Sequence, residues 1–187
     1  TPAGAALAWS LLLRRPVEVP GTLPLQVGVA VCEAVESLGV ERAQLKWPND
    51  VLIDGRKCAG VLVEARPQDG WAVVGIGLNL SVREQDFPDE LRGRATSIGH
   101  GADVRSATAA LNRFVEARLT GAVDSALAEL ADRDALRGRQ VSWQGGTSGP
   151  RAGIAAGIDR AGTLLVETAT GPVSLDSGEV HLGGQAV

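Results

Sequence analysis

Lysine is confined to one short stretch of this chain. Of its 18 lysine and arginine residues only two are lysines, Lys46 and Lys57, and they lie eleven positions apart. An ammonium is a compact point charge on a flexible stem, and a planar guanidinium does not replace it. We therefore expect a site that presents two point charges to an anion, with phosphate as the first candidate. Chance placement is the alternative, because two is a small number.

The first lysine opens an unusual local sequence, Lys46-Trp47-Pro48-Asn49-Asp50. Pro48 lacks an N–H donor, so it ends a strand, and it restricts Trp47 to extended geometry. Asn49 and Asp50 favour a turn, so a purely structural turn is one interpretation. A lysine, an amide and a carboxylate around a rigid proline are also a good way to keep polar groups still.

A second candidate feature is the sequence Gly75-Ile76-Gly77-Leu78-Asn79. Alternate residues of a strand share a face, so Gly75, Gly77 and Asn79 are predicted to point one way, away from Ile76 and Leu78. Two glycines on one face leave a shallow trough that ends in an amide. Glycine inside a strand marks a bulge or the close approach of a ligand or a backbone, so a bend in the sheet or a helix packed over the glycines is the alternative. Gly60 and Leu62, on the preceding strand, are expected to lie beside the trough.

The elements that position these residues follow from apolar periodicity and turn residues. Helical spacing runs from Val27 to Leu38, after Pro24 and before Gly39, and Asp-Gly at 54–55 predicts a tight hairpin. Two further helices are predicted over Val104–Arg118, capped by Asp103, and over Val123–Leu136. The predicted strands are Ala5–Leu13, Gln44–Trp47, Val51–Ile53, Lys57–Arg66, Trp71–Leu80 and then, in a tail of short strands with close turns, Val141–Trp143, Ala152–Ile158, Thr163–Thr168, Pro172–Leu175 and Glu179–Leu182.

The composition disfavours several classes of function. The net charge is −4 and the pI is about 5.2, so no basic stripe is expected for nucleic acid or for a membrane surface. No apolar run approaches the roughly 18 residues that a bilayer span needs. The two cysteines, Cys32 and Cys58, form no CxxC pair, which argues against zinc and favours free thiols in a reducing cytoplasm.

Three stretches together resemble the biotin–protein ligase family: Lys46–Asp50, Gly55–Glu64 and Gly75–Asn79. A five-residue lysine motif with a second lysine eleven residues on is far more specific than a glycine-rich strand. The resemblance implies an α+β fold, in which a mixed, mainly antiparallel sheet of the class II synthetase and biotin/lipoate ligase type packs against helices. It also implies a catalytic domain over residues 1–138 and a small SH3-like β-barrel over 139–187.

The resemblance implies a two-step reaction. The biotin carboxylate attacks the α-phosphorus of ATP to give biotinyl-5′-adenylate and pyrophosphate, and a lysine of a biotin carboxyl carrier domain then attacks the adenylate. Because two anions meet in the first step, cations and fixed donors are needed where charge accumulates. ATP and biotin are therefore the expected substrates, with Mg²⁺, which uses few protein ligands beside phosphate oxygens.

The resemblance also implies a role for each candidate residue. Lys57 would hold the biotin carboxylate and the α-phosphate in line, and Asp50 would accept the proton of the incoming lysine. The other expected contacts are Lys46 and Asn49 to the phosphates, Asn79 to phosphate or to the magnesium side, and Gly60, Leu62, Gly75 and Gly77 along the apolar biotin slot.

The chain departs from the family at its start. Thr1–Gly4 resembles the residues that follow an arginine- and glycine-rich loop, which in the family closes over biotin and the adenylate. Neither that loop, nor the strands before it, nor a helix-turn-helix module, nor any methionine is present in the sequence. We expect this chain to be the portion left by cleavage or omission at the loop, and such a fragment can fold and still be inactive.

Other interpretations stay open at this point. A non-catalytic fragment or degenerate paralogue would dock a carrier domain without forming an adenylate, and a lipoate or octanoate ligase would share the broad fold. A nucleic-acid binder that uses the small barrel is disfavoured by the acidic balance. A homodimer through an exposed strand is compatible with the sequence but not required by it.

Overall fold

The computed structural model describes residues 2–14, 21–99, 101–121, 123–144 and 149–183. The first half of the chain forms a five-stranded sheet in the order β1-β5-β4-β3-β2, in which neighbouring strands are antiparallel. Its strands are β1 (Ala6–Arg14), β2 (Gln44–Lys46), β3 (Asp50–Ile53), β4 (Arg56–Arg66) and β5 (Trp71–Asn79).

The hairpin that carries the second lysine is confirmed. Strands β3 and β4 are joined across Asp54 and Gly55, whose φ angles are 50° and 74°. A two-residue hairpin of this kind needs positive φ at both central residues, which explains the Asp-Gly pair.

Three helices cover one face of this sheet: α1 (Leu23–Ser37), α2 (Val104–Thr120) and α3 (Val123–Arg133). Helix α1 is the central one, and its apolar side chains are buried against the sheet and the other two helices. The cap predicted for α2 is confirmed, because the Asp103 carboxylate accepts the Ser106 N–H at 2.7 Å in a capping box.

The prediction that the third helix runs to Leu136 is wrong. Helix α3 ends at Arg133, because N–H groups of the residues that follow it donate to acceptors outside the helix. The Ala135 N–H donates to the Leu45 carbonyl of β2 at 2.9 Å, and the Leu136 N–H donates to the Asp134 carboxylate at 2.8 Å. The chain therefore leaves the helix alongside β2 and enters the second half of the molecule there.

The second half forms another antiparallel five-stranded sheet, in the order β10-β6-β7-β8-β9. The α+β class with a small SH3-like second part is confirmed, while the boundary at 138/139 stays a prediction. One cluster of buried apolar residues includes members from both parts, so the two halves are packed against each other. Among the described residues no helix is both long and apolar enough to cross a bilayer. The strands are β6 (Gln140–Gln144), β7 (Pro150–Ile158), β8 (Leu164–Thr168), β9 (Gly171–Leu175) and β10 (Val180–Leu182).

Candidate functional site

Both lysines contact a single carboxylate. Lys46 ends β2 and pairs in register with Asp50, the first residue of β3. The Asp50 Oδ1 atom forms an ion pair with Lys57 Nζ, and its Oδ2 atom lies 4.0 Å from Lys46 Nζ. One anion therefore separates two cations and lets them stay close together in spite of their mutual repulsion.

A β-bulge sets which residues of β4 face this cluster. Leu52 pairs with Lys57 and Val51 pairs with Ala59, so Cys58 is an extra residue in the ladder. As a result Lys57 and Gly60, three positions apart, lie on the same face of the sheet. A Cβ atom on Gly60 would lie 3.3 Å from both Cε and Nζ of Lys57, so the glycine leaves the room in which the lysine side chain lies.

The two lysines differ in their surroundings. The Lys46 side chain is 15% exposed and that of Lys57 is 48% exposed. Burial lowers the pKa of Lys46, and nearby Asp50 and Glu179 oppose this by raising it. Lys57 and Arg94 also act on Lys46 as neighbouring positive charges and lower its pKa further.

The glycines of β5 form the predicted trough next to this cluster. Ile76 and Leu78 are buried toward the helices, whereas Gly77 on the other face is exposed. Gly77 pairs with Gly60, and Gly75 pairs with Leu62. The trough therefore runs from the Gly75–Leu62 pair to the Gly77–Gly60 pair and ends where Lys57 crosses Gly60.

The trough is open along its length. A Cβ atom on Gly77 would meet no atom within 4 Å, and one on Gly75 would meet Leu62 only at ordinary contact distance, 3.9 Å. On the other side of β5, β1 places small residues opposite the glycines, with Ala8 beside Gly77 and Ser10 beside Gly75. No protein side chain described in the structure fills the space that these glycines leave.

A cleft of about 1070 Å³ surrounds the charged cluster. Leu62, Gly75 and Asn49 do not line it, and Leu62 is 60% exposed further along the trough. The predicted site residues that line this cleft are Lys46, Asp50, Lys57, Gly60, Gly77 and Asn79.

The two asparagines have different surroundings. The Asn49 side chain donates to the Val61 carbonyl at 2.8 Å, and the Asn49 backbone carbonyl accepts the Val61 N–H at 2.9 Å. Asn49 therefore ties the turn to β4. The Asn79 side chain donates to the Thr96 carbonyl at 3.1 Å and lines the cleft. In both residues the amide nitrogen is the donor, so the difference between them is that Asn79 lines the cleft and Asn49 does not, and both assignments to phosphate stay predictions.

Sequence reasoning missed a segment that forms one wall of the cleft, residues 85–95. It lies beside β4 because the Lys57 N–H donates to the Arg94 carbonyl and the Thr96 N–H donates to the Lys57 carbonyl, each at 2.8 Å. Phe87 and Ala95 anchor it in a small apolar cluster with Ala5 and Val82. The only signal in the sequence is Phe87 itself, one of two phenylalanines in the chain, among charged residues.

Sequence reasoning also missed two residues of the second half. Glu179 and Leu182, at the ends of β10, line the same cleft as Lys46 and Lys57. They lie more than 120 positions from the lysines, so no local pattern connects them. The second half of the chain therefore contributes a carboxylate to the surroundings of Lys46.

The turn after Lys46 is packed from behind by its tryptophan. Trp47 is 2% exposed, and its Nε1–H donates to the Gly162 carbonyl at 2.9 Å across 115 residues of sequence. The ring faces away from the cleft, as expected for a residue that supports the turn. Its partner lies in the turn between β7 and β8.

Comparison with known proteins gives a consistent result. Residues 1–81 match the family described as Biotin/lipoate A/B protein ligase family, and residues 138–183 match the Biotin protein ligase C terminal domain. The biotin protein ligase of Aquifex aeolicus, solved in complex with biotin and ATP, superposes with a TM-score of 0.79 at 28% identity, over 95% of this chain and 78% of that one.

Curated relatives carry related names. The bifunctional ligase/repressor BirA of Bacillus spizizenii is 30% identical over 96% of this chain, which spans 59% of that protein's length. The biotin--[acetyl-CoA-carboxylase] ligase of Paracoccus denitrificans is 30% identical over 83% of this chain and 72% of its own length.

Proposed function

This chain belongs to the biotin/lipoate A/B protein ligase family, and we propose that it uses ATP to join biotin to a lysine of a carrier protein. One observation carries the proposal: the trough of paired glycines ends at Lys57, beside a carboxylate that both lysines of the chain contact. An open slot for an uncharged body, closed at one end by cations, fits a molecule with an apolar ring system and a terminal carboxylate.

The first step is transfer of the adenylyl group. A biotin carboxylate oxygen attacks the α-phosphorus of ATP, and the bond from that phosphorus to the bridging oxygen breaks, so pyrophosphate leaves. Lys57 faces both anions, since it lies over Gly60 at the end of the trough and lines the cleft. Its ammonium offsets the repulsion between carboxylate and phosphate, and Lys46 binds the phosphates from the more buried side.

The second step forms the amide. The carrier lysine attacks the acyl carbon of biotinyl-5′-adenylate, AMP leaves, and the amine gives up a proton. We assign that proton to Asp50, whose carboxylate lies between the two ammonium groups in the same cleft. The phosphate of the adenylate would draw Lys57 away from Asp50 and free the carboxylate to accept the proton.

We assign the magnesium contact to Asn79. No cluster of three or more metal-ligating side chains exists in the described part of the chain, which suits an ion bound largely by phosphate oxygens. The Asn79 amide nitrogen donates to Thr96, which fixes the orientation of the amide at the wall of the cleft. Magnesium would neutralise charge on the phosphates. A biotin carboxyl carrier domain as the acceptor, a cytoplasmic location and pairing of two chains are further parts of the proposal.

Biotin-dependent exchange between ATP and pyrophosphate tests the proposal. We expect the chain to catalyse exchange and Lys57→Ala to lower its rate by roughly 10²–10³, the loss typical for removal of a charge-stabilising donor. Arg56→Ala is the matched control, because Arg56 is the adjacent cation, pairs with Glu84 at 3.8 Å and does not line the cleft. Equal exchange in the two variants would remove Lys57 from the mechanism. Silence of the unchanged chain together with carrier binding would favour the docking interpretation.

A further inference from the structure

Two distant segments of the chain, one just after α3 and one in the second half, contact the sequence neighbours of Lys46. On one side, the Leu45 carbonyl accepts the Ala135 N–H at 2.9 Å, where the chain leaves α3. On the other side, the Trp47 Nε1–H donates to the Gly162 carbonyl at 2.9 Å. Lys46 thus lies between two anchors that both belong to sequence at least 89 residues away from it.

The anchor at Trp47 is a close-packed junction. Gly162 has φ of +88°, and a Cβ atom on it would lie 2.9 Å from the Gly21 carbonyl oxygen. A Cβ atom on Gly21 would likewise lie 2.9 Å from the Ala161 carbonyl oxygen. Two backbones therefore touch here with glycine on both sides, and Trp47 packs against them, so the Gly162 carbonyl has little freedom to move.

The turn that presents the Gly162 carbonyl is rigid in itself. The Asp159 carboxylate accepts the N–H groups of Ala161 and Thr163, each at 2.9 Å. The Gly162 N–H donates to the Asp159 carbonyl at 3.1 Å, and the Asp159 N–H donates to the Thr163 carbonyl at 3.0 Å. Four hydrogen bonds within five residues hold the acceptor in place before Trp47 is considered.

From these contacts we infer that Trp47 is a positioning residue for Lys46, and that the second half of the chain sets the place of this lysine in the cleft through the Gly162 carbonyl. The inference rests on the proposed function, since it concerns the phosphate end of that site. It separates the roles of the two lysines: Lys57 is positioned within the hairpin and beside residues 94–96, whereas Lys46 depends on the junction. Glu179 adds a charge from the same half of the chain.

The test compares two tryptophans in the exchange reaction. Trp47→Phe keeps an aromatic ring and removes the donor to Gly162. Trp9→Phe is the control, because Trp9 also donates at 2.9 Å, to Asn112 of α2, and does not line the cleft. We expect Trp47→Phe to raise KM for ATP about three- to tenfold, in line with the loss of one hydrogen bond, and to leave KM for biotin unchanged. Trp9→Phe should change neither constant.

A second pair of variants decides the matter if Trp47→Phe does not fold. Asp159→Ala removes the acceptor that builds the turn, and Asp159→Asn keeps a side-chain oxygen at the same position. We expect the alanine variant to raise KM for ATP and the asparagine variant to restore it. A role in folding alone would lower the melting temperature without this split between ATP and biotin.

The outcomes distinguish the role inferred for Trp47 from the proposed function. Exchange by the unchanged chain, with a raised KM for ATP in Trp47→Phe and Asp159→Ala only, supports the inference. Exchange with the same KM for ATP in both tryptophan variants and both Asp159 variants overturns it and leaves the proposed function intact. Absence of exchange in the unchanged chain overturns both.

Discussion

The trough and the turn are the two ends of one site, and they are built in different ways. The trough consists of paired residues on neighbouring strands, Gly60 with Gly77 and Leu62 with Gly75, and its geometry follows from a hairpin and its register. The turn at Lys46–Asp50 is short, half-buried, and anchored by contacts from Ala135 and Gly162. The trough therefore depends on neighbouring strands of one hairpin, whereas the turn depends on contacts from distant parts of the chain.

The difference between these ends is also chemical. The exposed Gly77, at which a Cβ atom would meet no protein atom within 4 Å, and the partly exposed Gly75 line the trough, so its shape is set by absent side chains. Charged groups at the turn lie close together, and burial lowers the pKa of one of them, Lys46. Shape should thus control biotin binding and electrostatics should control ATP binding, so changes at one end should leave the other end nearly unaffected.

Of the changes that test this difference between the two ends, filling the trough should have the largest effect. A methyl group at position 77 meets no protein atom within 4 Å, so Gly77→Ala should fold normally while it occupies the slot. One added carbon in a fitted pocket is worth roughly 10–200-fold, and we expect biotin affinity to fall by that factor. Isothermal titration with biotin measures this loss of affinity. KM for ATP should differ from that of the unchanged chain by no more than about twofold. Unchanged biotin affinity would place the biotin body elsewhere.

The complementary change is at the turn. Lys46→Ala removes a buried cation that we assign to the phosphates, and a hydrogen bond to a charged group contributes about 1.5–3 kcal/mol. KM for ATP in the exchange reaction should therefore rise by roughly 10–150-fold, with biotin affinity retained. If KM for ATP and the affinity for biotin changed together, the two ends of the site would not be independent.

The smallest effect is a shift in pH dependence. Burial lowers the pKa of Lys46, while the Asp50 and Glu179 carboxylates raise it. Phosphate binding by Lys46 needs the ammonium, so ATP affinity is present below this pKa and is lost as the pH rises through it. Glu179→Gln removes a contribution that raises the pKa, so the loss of affinity should begin at lower pH.

Measurement of KM for ATP from about pH 7 to 10, around the ordinary lysine pKa, checks this shift. Glu167→Gln, an exposed carboxylate on β8 that does not line the cleft, should leave the profile in place. Lys46→Arg should remove the alkaline loss, because a guanidinium does not titrate in this range. A profile that keeps its alkaline loss in Lys46→Arg would assign the titration to another group.

Much of the trough could be predicted from the sequence, because it depends on neighbours in the chain. Alternation along β5 indicates which face Gly75, Gly77 and Asn79 share, and Asp-Gly at 54–55 indicates how β3 meets β4. The structure brings six of the predicted site residues to one cleft. Their individual roles stay predictions.

The turn could be predicted only in part, because its surroundings come from distant sequence. Glu179 and the Gly162 carbonyl lie more than 110 residues from Lys46, and residues 85–95 approach Lys57 through backbone hydrogen bonds that leave no side-chain signature. The predicted end of α3 is wrong for a related reason. The N–H groups of Ala135 and Leu136, just after the helix, donate to β2 and to the Asp134 carboxylate. The local spacing of apolar residues does not show which acceptors compete for these backbone N–H donors.

The bulge at Cys58 makes the number of residues from Lys57 to Gly60 a fixed dimension of the molecule. A regular strand through Cys58 would place Lys57 and Gly60, which are three positions apart, on opposite faces, so they share a face only because Cys58 is an extra residue in the ladder. Insertions are usually tolerated in exposed turns, but one residue inserted into β4 between Cys58 and Gly60 would exchange the inner and outer faces beyond it unless a wider bulge absorbed the residue. We therefore expect natural variation in this stretch to take the form of substitution at constant spacing, with changes in length confined to other connections.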